Sequence, residues 1–279
     1  MTIPKEIKNI IDKLNKSGFE AYIVGGCVRD FLIGIEAKDW DVTTSAKPEE
    51  IQEVFSHPPK FSNGKIGKTS SFYTNDFFTV TVLTGNDKIP EVEITTYRLE
   101  AKYSDKRHPD EVKYAKNLRE DLSRRDFTIN AMALKIQNAK IKNQNDPDAT
   151  TVAYVDPRMK LQKQIHRDNA KFKIIDIFNG QDDLKNKIIR TVGEPEERFS
   201  EDALRMLRAV RFASTLDFKI EEKTAEAIKK NSIWIKAVSS ERIRDEFLKI
   251  IMSNKASDGI ELLRELDLLK FIVPELLEN

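Results

Sequence analysis

The sequence predicts an α/β domain built on a mixed sheet and running into an all-helical region. Three observations predict it. Up to about residue 118, short runs rich in β-branched and aromatic residues alternate with amphipathic helical stretches. From Glu194 onward only helical periodicity remains. A glycine pair, Gly25-Gly26, joins an apolar strand-like run to an amphipathic one, giving strand–turn–helix order. The expected domains are 1–193 and 194–279.

Taken in order, Ile7, Ile10, Ile11 and Leu14 recur at helical spacing and predict a helix over residues 4–17. AYIV (21–24) reads as a strand, a helix follows from about Arg29, and WDVTT (40–44) is the next strand. Pro48 opens the helix PEEIQEVF, a position where proline loses no hydrogen bond. SFYTNDFFTVTVL and EVEITTYRL are strand candidates separated by the turn-rich GNDKIP. Residues 100–118, AKYSDKRHPDEVKYAKNL, read as a long polar loop. Beyond Glu194, the stretches FSEDALRMLRAVRFA, EKTAEAIKKN, SERIRDEFLKIIM and DGIELLRELDLL are each amphipathic. Ser200, Ser240 and Asp258 are the expected helix caps.

Composition narrows the chemistry. The chain has 279 residues, of which 33% are charged and 39% hydrophobic, enough for a sizeable core in a soluble protein. No apolar run reaches the roughly 20 residues that span a bilayer. The N-terminus, MTIPKEIKNIIDKL, lacks the apolar core of a secretory signal, so a cytoplasmic location is expected. One cysteine, Cys27, excludes an intramolecular disulfide, and three scattered histidines, His57, His108 and His166, offer no zinc cluster. Oxygen-ligand chemistry is left. A net charge of +1 excludes a uniformly basic nucleic-acid binder, but charge is uneven. Nine lysines and arginines meet four aspartates between Lys135 and Lys173, and four arginines lie between Arg198 and Arg211.

Asp39 and Asp41 alternate along KDWDVTT, so they project to one strand face roughly 6–7 Å apart. Two carboxylates so placed suit Mg²⁺, which takes one or two of them plus oxygens of a substrate phosphate. Gly25 and Gly26, just upstream, let the backbone approach an anion at the start of a helix. Together they point to metal-assisted nucleotidyl or phosphoryl transfer. A third carboxylate, Glu91 or Glu93, lies on the strand EVEITTYRL as a base or further metal support. Alternation does not choose between them, since both face one way. In RRDFTINA, Arg125 is a donor for phosphate or base, and Asp126 and Asn130 suit sugar hydroxyls. Asp202, Arg205, Arg208 and Arg211 recur every third residue beside an apolar stripe of Ala203, Met206, Leu207, Val210 and Ala213. An Asp202/Arg205 pair offers an acceptor beside a donor. Cytosine and adenine match that edge with an amine beside a bare ring nitrogen; uracil and guanine present the reverse. Arg208 and Arg211 then suit a triphosphate or an RNA end. The plainer alternative is an i,i+3 surface ion pair.

These segments, in order, resemble the class II (bacterial-type) CCA-adding tRNA nucleotidyltransferase and poly(A) polymerase family. GGCVRD with DWDVTT is similar to its first motif, and EVEITTYR to its third-carboxylate strand, with the family glutamate falling on Glu93. DLSRRDFTINAMAL is similar to the ribose-reading motif, and IIDIFNGQDDLKNKIIRTVG to the interdomain motif. EDALRMLRAVRFA is similar to the base-reading helix and SSERIRDEF to the last neck motif. The resemblance implies a nucleotidyltransferase head domain followed by a helical neck and the start of a helical body. It further implies Mg²⁺ on Asp39 and Asp41 with Glu93 assisting, Gly26 and Arg29 on the triphosphate, CTP and ATP as substrates, and the tRNA 3′ end as partner. The loop at 100–118 resembles the family's flexible loop used in switching from C to A addition. Three departures stand out: about thirty extra residues around 140–172, Asn179-Gly180 where many members have two glycines, and an end at FIVPELLEN before the expected body. The rival readings are poly(A) or A-only addition, which shares the motifs, and a non-catalytic RNA-binding module. Neither the membrane nor a particular oligomeric state enters the expectation.

Overall fold

The computed structural model describes residues 2–37, 39–57, 71–73, 77–101, 111–137 and 171–277. Most of the extra stretch at 140–172 and the middle of the 100–118 segment lie outside these residues.

The first helix, α1 (Lys5–Lys16), turns Ile7, Ile10, Ile11 and Leu14 inward, with Ile7 and Leu14 fully buried. Each such side chain contributes about 1.5–3 kcal/mol on leaving water. β1 (Ala21–Val24) is buried along its whole length, as a central strand covered on both faces must be. α2 (Gly26–Ile33) follows without a connecting loop because Gly25, at φ 83°, reverses the chain where a side chain would clash. The helix expected from about Arg29 therefore starts three residues earlier, at Gly26.

β2 (Asp41–Thr44), α3 (Pro48–Val54), β3 (Ser71–Tyr73), β4 (Thr79–Asn86) and β5 (Ile89–Thr96) come next. β6 (Arg98–Ala101) and β7 (Glu111–Tyr114) form a two-stranded sheet, so the predicted loop at 100–118 has paired strands at its base. α4 (Leu118–Ser123), β8 (Met132–Gln137) and β9 (Lys171–Asp176) complete the first part. The main sheet has seven strands in the order β3-β4-β5-β2-β1-β8-β9. It is mixed, as expected. Only β2 and β5 run parallel; the other neighbours are antiparallel.

The helical part comprises α5 (Gly180–Asn186), α6 (Pro195–Glu201), α7 (Leu204–Leu216), α8 (Glu222–Asn231), α9 (Ser240–Ile251), α10 (Ala256–Glu265) and α11 (Leu269–Ile272). Two short strands, β10 (Ile188–Ile189) and β11 (Lys219–Ile220), pair in parallel beside them. α7 is the centre: Met206, Leu207 and Val210 are fully buried, and α9 and α10 pack on it. The single helix expected from Ser200 is in fact two. Asp202 breaks it with an extended backbone, and its carboxylate accepts from Leu204 N–H at 3.0 Å, restarting the chain as α7. Ser200 lies inside α6, and Ser239 rather than Ser240 precedes α9. Asp258 lies in the first turn of α10, after Lys255.

By internal contacts the chain divides into two compact units. One comprises Met1–Leu99, Val112–Leu122 and Asn130–Gln181; the other Glu100–Glu111, Ser123–Ile129 and Asp182–Asn279. This division differs from the expected boundary after residue 193. The cause is local: Phe127 packs edge-on against Phe212, Thr128 Oγ1 donates to Asp183, and Thr128 N–H donates to Arg190 O. Among the described residues no helix is long and apolar enough to cross a membrane.

Candidate active site

The first unit gathers the carboxylates. Asp41 opens β2 and stands opposite Glu93 of β5 in the parallel register, so both project from one face. Asp39 lies just ahead of the strand, and all three residues are exposed. Alternation left Glu91 and Glu93 undecided; the register places Glu93 beside Asp41, while Glu91 lies two residues earlier on β5, before its pairing with β2 begins. Partial burial raises the Glu93 carboxyl above its usual range, and the charges of Asp41, Glu91 and Asp39 raise it further, against a smaller opposing pull from Arg98. Asp39 and Asp41 thus lie within electrostatic reach of Glu93. Among the described residues no three His, Cys, Asp or Glu side chains are close enough to hold a metal by themselves. The donor set nevertheless fits a hard divalent cation. Such an ion needs only one or two carboxylates once substrate phosphate supplies the remaining oxygens, and it would relieve the repulsion felt by Glu93.

The turn that precedes these strands is equally ordered. Arg29 of α2 is buried and donates to Asp30 Oδ1 at 2.8 Å and to Asn130 Oδ1 at 2.6 Å. A Cβ on Gly26 would come within 3.3 Å of the Arg29 guanidinium, so glycine there leaves Arg29 its place. Asn130, expected at a sugar, is spent at least in part on orienting Arg29. Below the carboxylates, Thr43 Oγ1 reaches both Thr95 O (3.1 Å) and the fully buried Asp121 (3.3 Å), fastening the β2–β5 pair.

The second unit carries the other candidates. Asp202 and Arg205 do not pair with each other. Arg242 of α9 forks onto Asp202 at 2.8 and 3.4 Å. Arg205, almost fully buried, donates to Glu201 Oε2 (2.5 Å), Arg124 O (3.1 Å) and Arg198 O (3.3 Å). The i,i+3 ion pair weighed above is therefore absent: donor and acceptor are each fixed by separate partners. Arg208 grips Asp126 Oδ2 through Nε and Nη2, at 2.9 and 2.5 Å, and Phe127 N–H donates to Asp126 Oδ1. Burial would lower the Arg208 guanidinium's proton affinity, but Asp126, with Glu246 and Asp202, outweighs it and the pKa rises. Arg211 pairs with the buried Glu246 at 2.6 Å and lies over the Phe212 ring. Arg125, which follows α4 in the chain, is half-buried. Arg242 and Glu246 were missed as site residues. The motif SSERIRDEF contains both, but nothing in its spacing reveals a partner forty residues away.

Residues 21–146 match the family described as the poly A polymerase head domain, and residues 217–279 match that described as a probable RNA and SrmB-binding site of polymerase A. A CCA-adding enzyme of Ligilactobacillus salivarius is 42% identical over 272 residues, covering 96% of this chain and 55% of the relative. The crystal structure of the Bacillus stearothermophilus CCA-adding enzyme in complex with CTP aligns with a TM-score of 0.69 and 32% identity, over 95% of this chain and 53% of the other. A tRNA nucleotidyltransferase complexed with a primer tRNA and an incoming ATP analog aligns at 0.65 and 28%, over 95% and 62%. The chain spans about half the length of the curated relatives it matches.

Proposed function

This chain belongs to the class II tRNA nucleotidyltransferase and poly(A) polymerase family, and from that premise we propose that it adds C, C and A to the tRNA 3′ end without a template, using CTP and ATP. The observation that carries the chemistry is the Asp41–Glu93 register with Asp39 alongside. Residues 1–193 act as the catalytic head and 194–279 as the helical neck and the beginning of the body, in the cytoplasm.

In the reaction the 3′-hydroxyl oxygen of the RNA bonds to the α-phosphorus of the nucleotide. The bond from that phosphorus to the bridging oxygen breaks, and pyrophosphate leaves. Asp39 and Asp41 would hold Mg²⁺, which would offset phosphate charge and make the attacking hydroxyl more acidic. Glu93, with its raised proton affinity, supports the pair and takes the hydroxyl proton. Gly25 and Gly26 bring backbone N–H groups to the triphosphate, and Arg29, aligned by Asn130, supplies positive charge behind them. Asp202 presents an acceptor and Arg205 a donor to the base edge. Because their own partners fix both, an edge of wrong polarity sets donor against donor and acceptor against acceptor rather than meeting side chains that can turn. Arg125 and Asp126 serve the sugar and phosphate.

The test is incubation with tRNA ending before CCA and each nucleoside triphosphate separately and together. Limited addition of C, then A after C, is the expected result. Long A tails would assign the chain to poly(A) addition. No incorporation with any mixture would leave an RNA-binding module.

A further inference from the structure

Away from the carboxylates, the first unit carries an aromatic patch that the reaction does not use. Phe78 and Tyr114 stack with ring centroids 4.3 Å apart and 23° between planes. Tyr114, at the end of β7, is 43% exposed. Lys47 Nζ lies 5.6 Å from its ring centre, and the Arg98 guanidinium lies 5.3 Å from that of Phe77 while donating to Phe77 O at 2.6 Å. Lys113 and Lys116 are exposed on either side of Tyr114. Phe78 itself has φ 59°, a left-handed conformation that a bulky residue adopts at a cost. Such strain persists where the surroundings hold it, and here it places Phe78 on Tyr114 at the start of β4. Phe78 O accepts from Thr96 N–H, three residues along β5 from Glu93, or about 10 Å at strand rise.

We propose that the Phe78–Tyr114 stack, with Lys47 beside it and the exposed Lys113 and Lys116 flanking Tyr114 in sequence, is a platform for an unpaired base near the 3′ end of the RNA. The inference rests on the nucleotidyl-transfer reading for its choice of RNA end. Every nucleobase has a face to stack, so aromatic rings edged by cations take single strands with little sequence preference, the cations meeting the phosphates. A buried core pair would need neither the exposure of Tyr114 nor the surrounding lysines.

The experiment measures binding of two RNA hairpins with one stem, one with a four-nucleotide unpaired 3′ end and one blunt, and of CTP alone. Tyr114→Ala should weaken binding of the overhang RNA by about 5- to 150-fold, the range given by losing one stacked base. Blunt-hairpin and CTP binding should stay within twofold, which also verifies folding, and Tyr114→Trp should restore the overhang preference. Unchanged overhang binding by Tyr114→Ala, or equal loss for both hairpins, overturns the platform. Failure of the transfer reading looks different. In that case the wild type incorporates no nucleotide, yet the overhang preference and its loss in Tyr114→Ala persist.

Discussion

Replacing Arg242 by alanine tests whether the base-reading groups act through their fixed geometry. Arg242 is remote in sequence from the aspartate it holds and contacts it with two nitrogens, at 2.8 and 3.4 Å. Only the shorter is a full-strength hydrogen bond. A bond to a charged group is worth about 1.5–3 kcal/mol. The Arg242 side chain is 29% exposed and that of Asp202 17%, so water replaces part of what is lost and the lower end, about 1.5 kcal/mol, applies. That energy corresponds to roughly a tenfold change. The assay compares kcat/KM for CTP, ATP, UTP and GTP on one tRNA substrate. In Arg242→Ala, the ratio of C to U use should fall about tenfold, and Arg242→Lys, which keeps the charge but loses the fork, should lie between. With Asp202→Ala in the background, removal of Arg242 should have little further effect, because the two act as one unit. If Arg242→Ala lowers the melting temperature but keeps all four ratios, Arg242 braces the helices only and base choice does not depend on how Asp202 is held.

Asp41→Ala should abolish incorporation with Mg²⁺ while leaving the melting temperature within a degree or two, since Asp41 is exposed at the first position of its strand; wild-type turnover would sink the two-carboxylate assignment. Gly259→Ala should destabilise the helical unit despite alanine's better helix propensity, because its Cβ would lie 2.5 Å from Ser214 Oγ and 2.6 Å from Ile250 Cγ2; a loss of about 1–3 kcal/mol in denaturant unfolding is expected, partly recovered by Ser214→Ala, which removes the nearer atom. Glu6 accepts from Asn86 Nδ2 at 2.8 Å, which holds its carboxyl below the usual 4.5. That stabilisation is present above about pH 4.5 and is lost as pH falls through the lower folded value, so Asn86→Ala should flatten the fall in melting temperature between pH 5 and 3.

Local pattern carried the elements whose burial is local. Ile7, Ile10, Ile11 and Leu14 announce α1 because one face of one helix must leave water, whatever lies opposite. The break at Asp202 could not be read that way. Its neighbours are good helix formers on both sides, and what holds the residue extended is a carboxylate bonded forward to Leu204 and across to Arg242. β6 and β7 were hidden for another reason: an edge pair buries little, so its sequence stays as polar as a loop. At the site, Asp39 and Asp41 were legible from spacing alone. The choice of Glu93 over Glu91 needed the family resemblance, and it acquires a physical basis only in the register of β5 against β2.

The arginines of α7 show how a sequence regularity can be seen while the partners of its members stay hidden. A three-residue step turns the helix by about 300°, so each successive arginine leaves the axis about 60° away from the last. Arg208 and Arg211 are the two expected at a triphosphate or an RNA end. The structure distributes all three arginines among separate partners: Arg205 to Glu201 and two main-chain carbonyls, Arg208 to Asp126, and Arg211 to Glu246. We therefore read Arg208 and Arg211 as positioning residues, the first for a sugar-facing aspartate and the second for the packing of α9 against α7. This reading separates the three by experiment. Arg205→Ala should alter the ratios among bases. Arg208→Ala should raise KM for all four nucleotides alike, because it releases Asp126. Arg211→Ala should lower stability first, since it leaves Glu246, only 5% exposed, without its arginine partner. A loss of triphosphate affinity in both Arg208→Ala and Arg211→Ala, with stability kept, would restore the expected contact of these two with the triphosphate.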